Sequence, residues 1–161
     1  MAMPDALGNA LAWWSSTYAD HRAVQATVLF LHIGGLVFAG GTAVAVDRVV
    51  LQAARSDDDR RASALAALGA SHRTVVPALA VVIGSGALLA AADLATFLAS
   101  PVFWIKMALV VLLLANGYGL RRAEHRASTP QGWRRLAKGS AASLTLWLLI
   151  VLLGTVLTVV T

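Results

Sequence analysis

A chain of 161 residues that is 58% hydrophobic, with a mean hydropathy of +0.73, is too apolar to keep the polar coat of a soluble domain. Four apolar spans of about twenty residues each, the length that crosses a bilayer core, account for half of it and leave no room for a separate soluble domain. The absence of cysteine excludes disulfides, iron–sulfur clusters and thiolate metal sites, and the net charge of +5 comes from basic residues beside the spans, a membrane topology signal that argues against nucleic acid as a partner.

Residues 10–18 carry Trp13, Trp14 and Tyr18, the aromatic pattern of a short interfacial helix or turn. The first twenty residues hold no Lys or Arg, so an uncleaved first span is expected in place of a signal peptide. Span one is predicted over residues 23–46, closed by Asp47 and Arg48, with helix continuing to about residue 54. Ser56 and the aspartates after it suit the N-terminus of the next helix. That helix starts as an amphipathic stretch, 62–73, and crosses over 74–92, with Pro77 as a candidate kink. Residues 93–100 form a connection, and Pro101 suits the first turn of span three, 102–120. Residues 121–139 read as a basic loop with Trp133 as an interfacial anchor. Span four covers 140–160, and its run of Leu, Val and Thr predicts the most lipid-exposed helix.

Arg48, Arg55, Arg60, Arg61 and Arg73 flank the first connection, and Arg121, Arg122, Arg126, Arg134, Arg135 and Lys138 the third; only Arg22 and Lys106 lie near the other side. The bias predicts an all-α integral membrane four-helix bundle in a bacterial inner membrane, loops one and three cytoplasmic and both termini outside. Gly34, Gly35, Gly40 and Gly41 in span one, with Gly84 and Gly86 in span two, mark the tightly packed half. Self-association into a homo-oligomer is also expected from thin Gly/Ala helices.

Ionisable groups inside a bilayer are costly and therefore informative. His32 lies about ten residues into span one, roughly 15 Å deep at 1.5 Å per residue, beyond the reach of snorkelling. Such an imidazole needs an acceptor, a donor or a metal. It is either a haem ligand beside the small residues Gly35, Ala39 and Ala43 or a packing histidine bonded to a neighbouring Ser or Thr. Lys106 either snorkels to the interface or faces the bundle, where Asp93 or an anionic group would meet it. Asp47, Arg48, His72 and Arg73 form a latch between helices, or His72 serves a second metal site. Asn116 is placed to hydrogen-bond across helices.

Three strings carry a family resemblance. They are Phe30-Leu31-His32-Ile33-Gly34-Gly35-Leu36-Val37-Phe38-Ala39-Gly40-Gly41, then Asp47-Arg48, then Ser100-Pro101-Val102-Phe103-Trp104-Ile105-Lys106-Met107. Residues 28–122 resemble a family of small bacterial four-helix membrane proteins. They are more remotely similar to the haem-binding membrane protoporphyrinogen oxidase family and to the copper-resistance D-type membrane domain. The resemblance implies that His32 is the span-one haem-ligand histidine and Lys106 the span-three lysine. The oxidase family's tyrosine- and histidine-rich stretch after span one is replaced here by residues 49–54.

The expectation is a b-type haem-binding membrane protein that passes electrons to a membrane partner or handles a porphyrin. His32 would be the axial ligand, Gly35 and Gly84 would flank the ring, and Lys106 or Arg22 would hold propionates. The alternatives are a transport or export component for copper or a small solute, with His32, Lys106 and Asp93 lining a cavity, and a non-catalytic assembly protein.

Overall fold

The computed structural model describes residues 5–127 and 129–160, with the side chains of Asp5 and Val160 left aside. The described residues are all helical or in short connections. The elements are α1 (Asp5–Asp20), α2 (Arg22–Ala53), α3 (Asp58–Ala92), α4 (Leu94–Ala99), α5 (Pro101–Glu124) and α6 (Pro130–Val160). Four of these, α2, α3, α5 and α6, are long and apolar enough to cross a membrane, and the protein is a multi-pass integral membrane helical bundle.

Local chemistry sets the ends. Asp57, one residue after the expected Ser56, caps α3 by accepting from the Arg60 amide, while Ser56 Oγ donates back to the Gln52 carbonyl. Asp59 and Asp58 fill the first turn, where acidic groups meet the positive end of the helix dipole. Asp93 caps α4 through the Thr96 amide, which makes the expected loop a one-and-a-half-turn helix. Pro101 opens α5. The greatest departure is at α6. Its first residue is Pro130, ten before the predicted start, because Thr129 Oγ1 accepts from the Gly132 amide as a cap and proline suits the first helical position. The basic loop therefore shrinks to the short connection between Glu124 and Pro130, in which residues 125–127 form a turn. Trp133 is no exposed anchor. It is 8% exposed, packed in the core with Arg61 stacked 5.6 Å from its ring centre.

The four spans run antiparallel in the cyclic order α3–α2–α6–α5. The α2–α3 hairpin is the most extensive interface, followed by α5–α6 and α2–α6, whereas α3 and α5 hardly touch. Two apolar clusters fill the centre. One, at the end carrying the α2–α3 and α5–α6 connections (the loop end), gathers Val50, Leu68, Leu120, Trp133 and Leu136. The other is central, with Ala39, Leu113, Trp147 and Ile150. Glycine permits the closest approaches. A methyl added to Gly40 would lie 3.0 Å from the Trp147 ring, and one on Gly35 2.9 Å from Val82. Gly41 and Gly84 face open space, so only part of the glycine set packs.

α6 is not the lipid-exposed helix its composition suggested. Its apolar window has the largest buried share of the four spans. The buried residues Leu136, Ser140, Ser143, Trp147, Ile150 and Leu157 fall at alternating steps of four and three, with Gly154 completing the series, so one narrow seam faces α2 and α5 while Leu and Val cover the rest.

α1 is longer than the expected segment and docks on the opposite end of the bundle (the α1 end). Trp14 Nε1 donates to the Leu88 carbonyl at 2.8 Å and Ser15 Oγ to the Ala92 carbonyl at 2.8 Å. The Ala92 carbonyl is among the last four of α3, which lack helical partners, and Leu88 lies one turn before it. Gln25 Nε2 donates to the Tyr18 and Ala19 carbonyls and closes the corner between α1 and α2.

Candidate functional site

His32 lies on the face of α2 turned toward α3. Its Nδ1 is 3.1 Å from the Val82 carbonyl and 3.2 Å from Ser85 Oγ. Ser85 is itself buried and donates to the Val81 carbonyl at 2.6 Å, so its hydroxyl is committed and the Val82 carbonyl is the natural acceptor for an Nδ1 proton. That proton placement makes Nε2 the lone-pair nitrogen. A carbonyl or carboxylate behind one ring nitrogen is the usual way a ligating imidazole is oriented. Gly86 makes the arrangement possible, because an added methyl there would sit 3.0 Å from His32 Cε1.

Lys106, on α5, is half-buried and faces the bundle. Its Nζ approaches α6 at Gly154, 3.5 Å from where a methyl would project, and it is near enough to His32 to interact with it electrostatically. Among the described residues no carboxylate forms an ion pair with Lys106. Asp93, expected as its partner, is exposed and occupied as the α4 cap. An imidazole and an ammonium thus lie near each other in the α1 half of the bundle.

The other expected site residues fall elsewhere. Gly35 is filled by Val82 across the helix interface, and Gly84 is exposed with nothing near it, so these two glycines face different surroundings and do not form two walls of one slot. Arg22 is exposed at the start of α2, ten residues and about 15 Å along the axis from His32. His72 lies at the loop end, half-buried, with Nε2 3.7 Å from Glu124 Oε2. It does not form a four-residue latch. Asp47 points to Ser140 and Ser143 of α6, and Arg48 and Arg73 are exposed. Asn116 Nδ2 donates to the Gly139 carbonyl of α6 at 2.9 Å, joining helices as expected of it.

Glu124 and Ser85 escaped the sequence reading, and Gly86, expected to mark tight packing, packs against His32. Glu124 is the only glutamate in the chain, a signal that was available. Ser85 carried none, because a serine between glycines in an apolar span gives no hint of which helix it meets.

Among the described residues no group of three or more His, Asp or Glu side chains converges; a porphyrin-borne iron needs only one or two axial ligands from protein. No protein-family profile, curated protein or solved structure matches the chain.

Proposed function

We propose that the protein is a b-type haem-binding membrane protein with a redox or porphyrin-handling role, and that His32 supplies an axial ligand through Nε2. The observation that carries this reading is the bond from His32 Nδ1 to the Val82 carbonyl, which turns a deep imidazole into an oriented lone-pair donor. The fit is of donors and not of a cradle. His32 Nε2 could supply an iron ligand and the Lys106 cation, near enough to interact with His32 electrostatically, could pair with a propionate, whereas Gly35 is filled by Val82 and Gly84 faces open space. When bound, the group would supply one-electron chemistry; the chain's own residues orient the ligand nitrogen and place a cation beside it. The excess of Lys and Arg at the loop end favours its facing the cytoplasm, with α1 outside. The resemblance of residues 28–122 to the haem-binding oxidase and copper-resistance D-type families supports the same assignment of His32, and the resemblance to the oxidase family that of Lys106.

Protein purified in detergent from haem-replete cells is expected to show a Soret band that His32→Ala abolishes. Colourless, folded protein would overturn the reading. A second reading, an export component for an anionic solute, rests on Lys106 lacking an acidic partner among the described residues. It predicts a vesicle flux that Lys106→Ala abolishes in the absence of any chromophore.

A further inference from the structure

At the loop end, α3 and α5 part around a cavity of about 240 Å³. Its back wall includes Asp47 of α2 with Ser143 and Trp147 of α6. Its mouth is apolar and faces the bilayer, since Val76, Leu114 and Tyr118 line it and are 55%, 43% and 66% exposed. Asp47 is only 3% exposed and faces the Ser143 and Ser140 hydroxyls, yet its Oδ2 has no hydrogen-bond partner. His72 Nε2, also in the lining, has only the 3.7 Å contact with Glu124, too long for a hydrogen bond. A buried acceptor without a donor is costly, and a native fold rarely keeps one without a use.

These features define an occupant. It must bring a hydrogen-bond donor to a carboxylate in a largely apolar pocket whose other polar lining groups are Ser71, His72, Tyr118, Arg121 and Ser143. It must arrive from the lipid, because the mouth opens sideways between two spans. Its buried part must be small. At the ~30 Å³ a water occupies in the liquid, the cavity holds roughly eight waters, which is the room of one substituted ring. Acyl chains and ionised fatty-acid carboxylates lack the donor, and fused multi-ring alcohols are too large. We propose that this cavity binds the head of a lipid-soluble quinol, one phenolic O–H donating to Asp47 Oδ2, the ring beside Trp147, and the tail leaving past Val76 and Leu114 into the bilayer. The proposal is independent of what His32 holds.

The test is equilibrium binding of a radiolabelled benzoquinol with a ten-carbon tail to the full chain in nanodiscs, under anaerobic conditions, with partition into protein-free nanodiscs subtracted. Saturable binding of one quinol per chain is expected. Asp47→Leu should weaken it at least tenfold, as should Leu114→Trp, which fills the mouth from the lipid side. The bis-O-methyl ether of the same quinol, which has the shape but no donor, should bind wild type at least tenfold more weakly. His32→Ala should bind normally. The ether keeps the test decisive even if Asp47→Leu fails to fold. Absence of saturable binding to folded wild type, equal binding of quinol and ether, or undiminished binding by folded Asp47→Leu or by Leu114→Trp would each overturn the proposal.

Discussion

At the α1 end of the bundle, His32 hands its Nδ1 proton to a carbonyl of the neighbouring helix, with a serine alongside. At the loop end, Asp47 is more deeply buried and faces the Ser143 and Ser140 hydroxyls, but its Oδ2 keeps no partner. Both groups sit on α2, fifteen residues apart. The difference lies in what faces them. α3 is tightly packed against α2 near His32, where Gly35 and Gly86 let the backbones approach, so a main-chain carbonyl comes within reach. Asp47 instead meets α6 and the α3–α5 cavity, where only side-chain hydroxyls are near. Tight packing satisfies a polar group with the fold itself; loose packing leaves it for something else.

The comparison is broken most sharply at His32. His32→Ala should remove bound haem and its Soret absorbance entirely while circular dichroism of the helices is unchanged. If the imidazole were merely a packing group, the spectrum would not respond. Ser85→Ala leaves the ligand in place but loosens its orientation, and a loss of about tenfold in haem affinity is expected from the usual effect of partners behind a ligand; an unchanged affinity would show that the Val82 carbonyl alone holds the ring.

Packing gives the next largest effects. Trp147 is 4% exposed and lies against Gly40 in the central cluster. Trp147→Ala should lower unfolding free energy by about 3–5 kcal/mol, read by SDS-induced unfolding in mixed micelles. The same change opens the cavity's back wall, so its effect belongs to both halves of the molecule.

Much of this architecture is written in the residue pattern. The four spans, the hairpin turn before Asp58, the helical start at Pro101 and the intramembrane ionisable residues follow from apolar length, capping chemistry and the rarity of charge in hydrocarbon. Three things were not legible. The start of α6 at Pro130 depends on a threonine cap that competes with the loop-like look of proline and glycine. The burial of α6 depends on a spacing of sevens that its uniform leucines and valines mask. The partners of His32 and Asp47 depend on helix order around the bundle, and hydropathy is silent about which neighbours meet. His72 shows the limit clearly. Its place opposite the lower part of α2 followed from the hairpin, but its contact, Glu124, comes from a helix that the α2–α3 pair alone does not predict.

The two glycines expected to flank a porphyrin give the finest discrimination between packed and open surface. A methyl on Gly35 would lie 2.9 Å from Val82 Cγ2 and 3.5 Å from the Ala78 carbonyl. Val82 is branched at Cβ and stiff at χ1, so it yields little; Gly35→Ala should cost about 1–3 kcal/mol, as overpacking does, and should also disturb the neighbouring bond from His32. Gly84 has nothing within 4 Å. Gly84→Ala removes the backbone freedom of a glycine within a helix and adds no contact, so it should raise stability slightly, by under about 1 kcal/mol. Measured side by side in the same micelles, opposite signs are expected. A destabilising Gly84→Ala would mean that this face is covered in the membrane, which is where a second copy of the chain would lie, and cross-linking through an introduced cysteine at residue 84 would then reveal it.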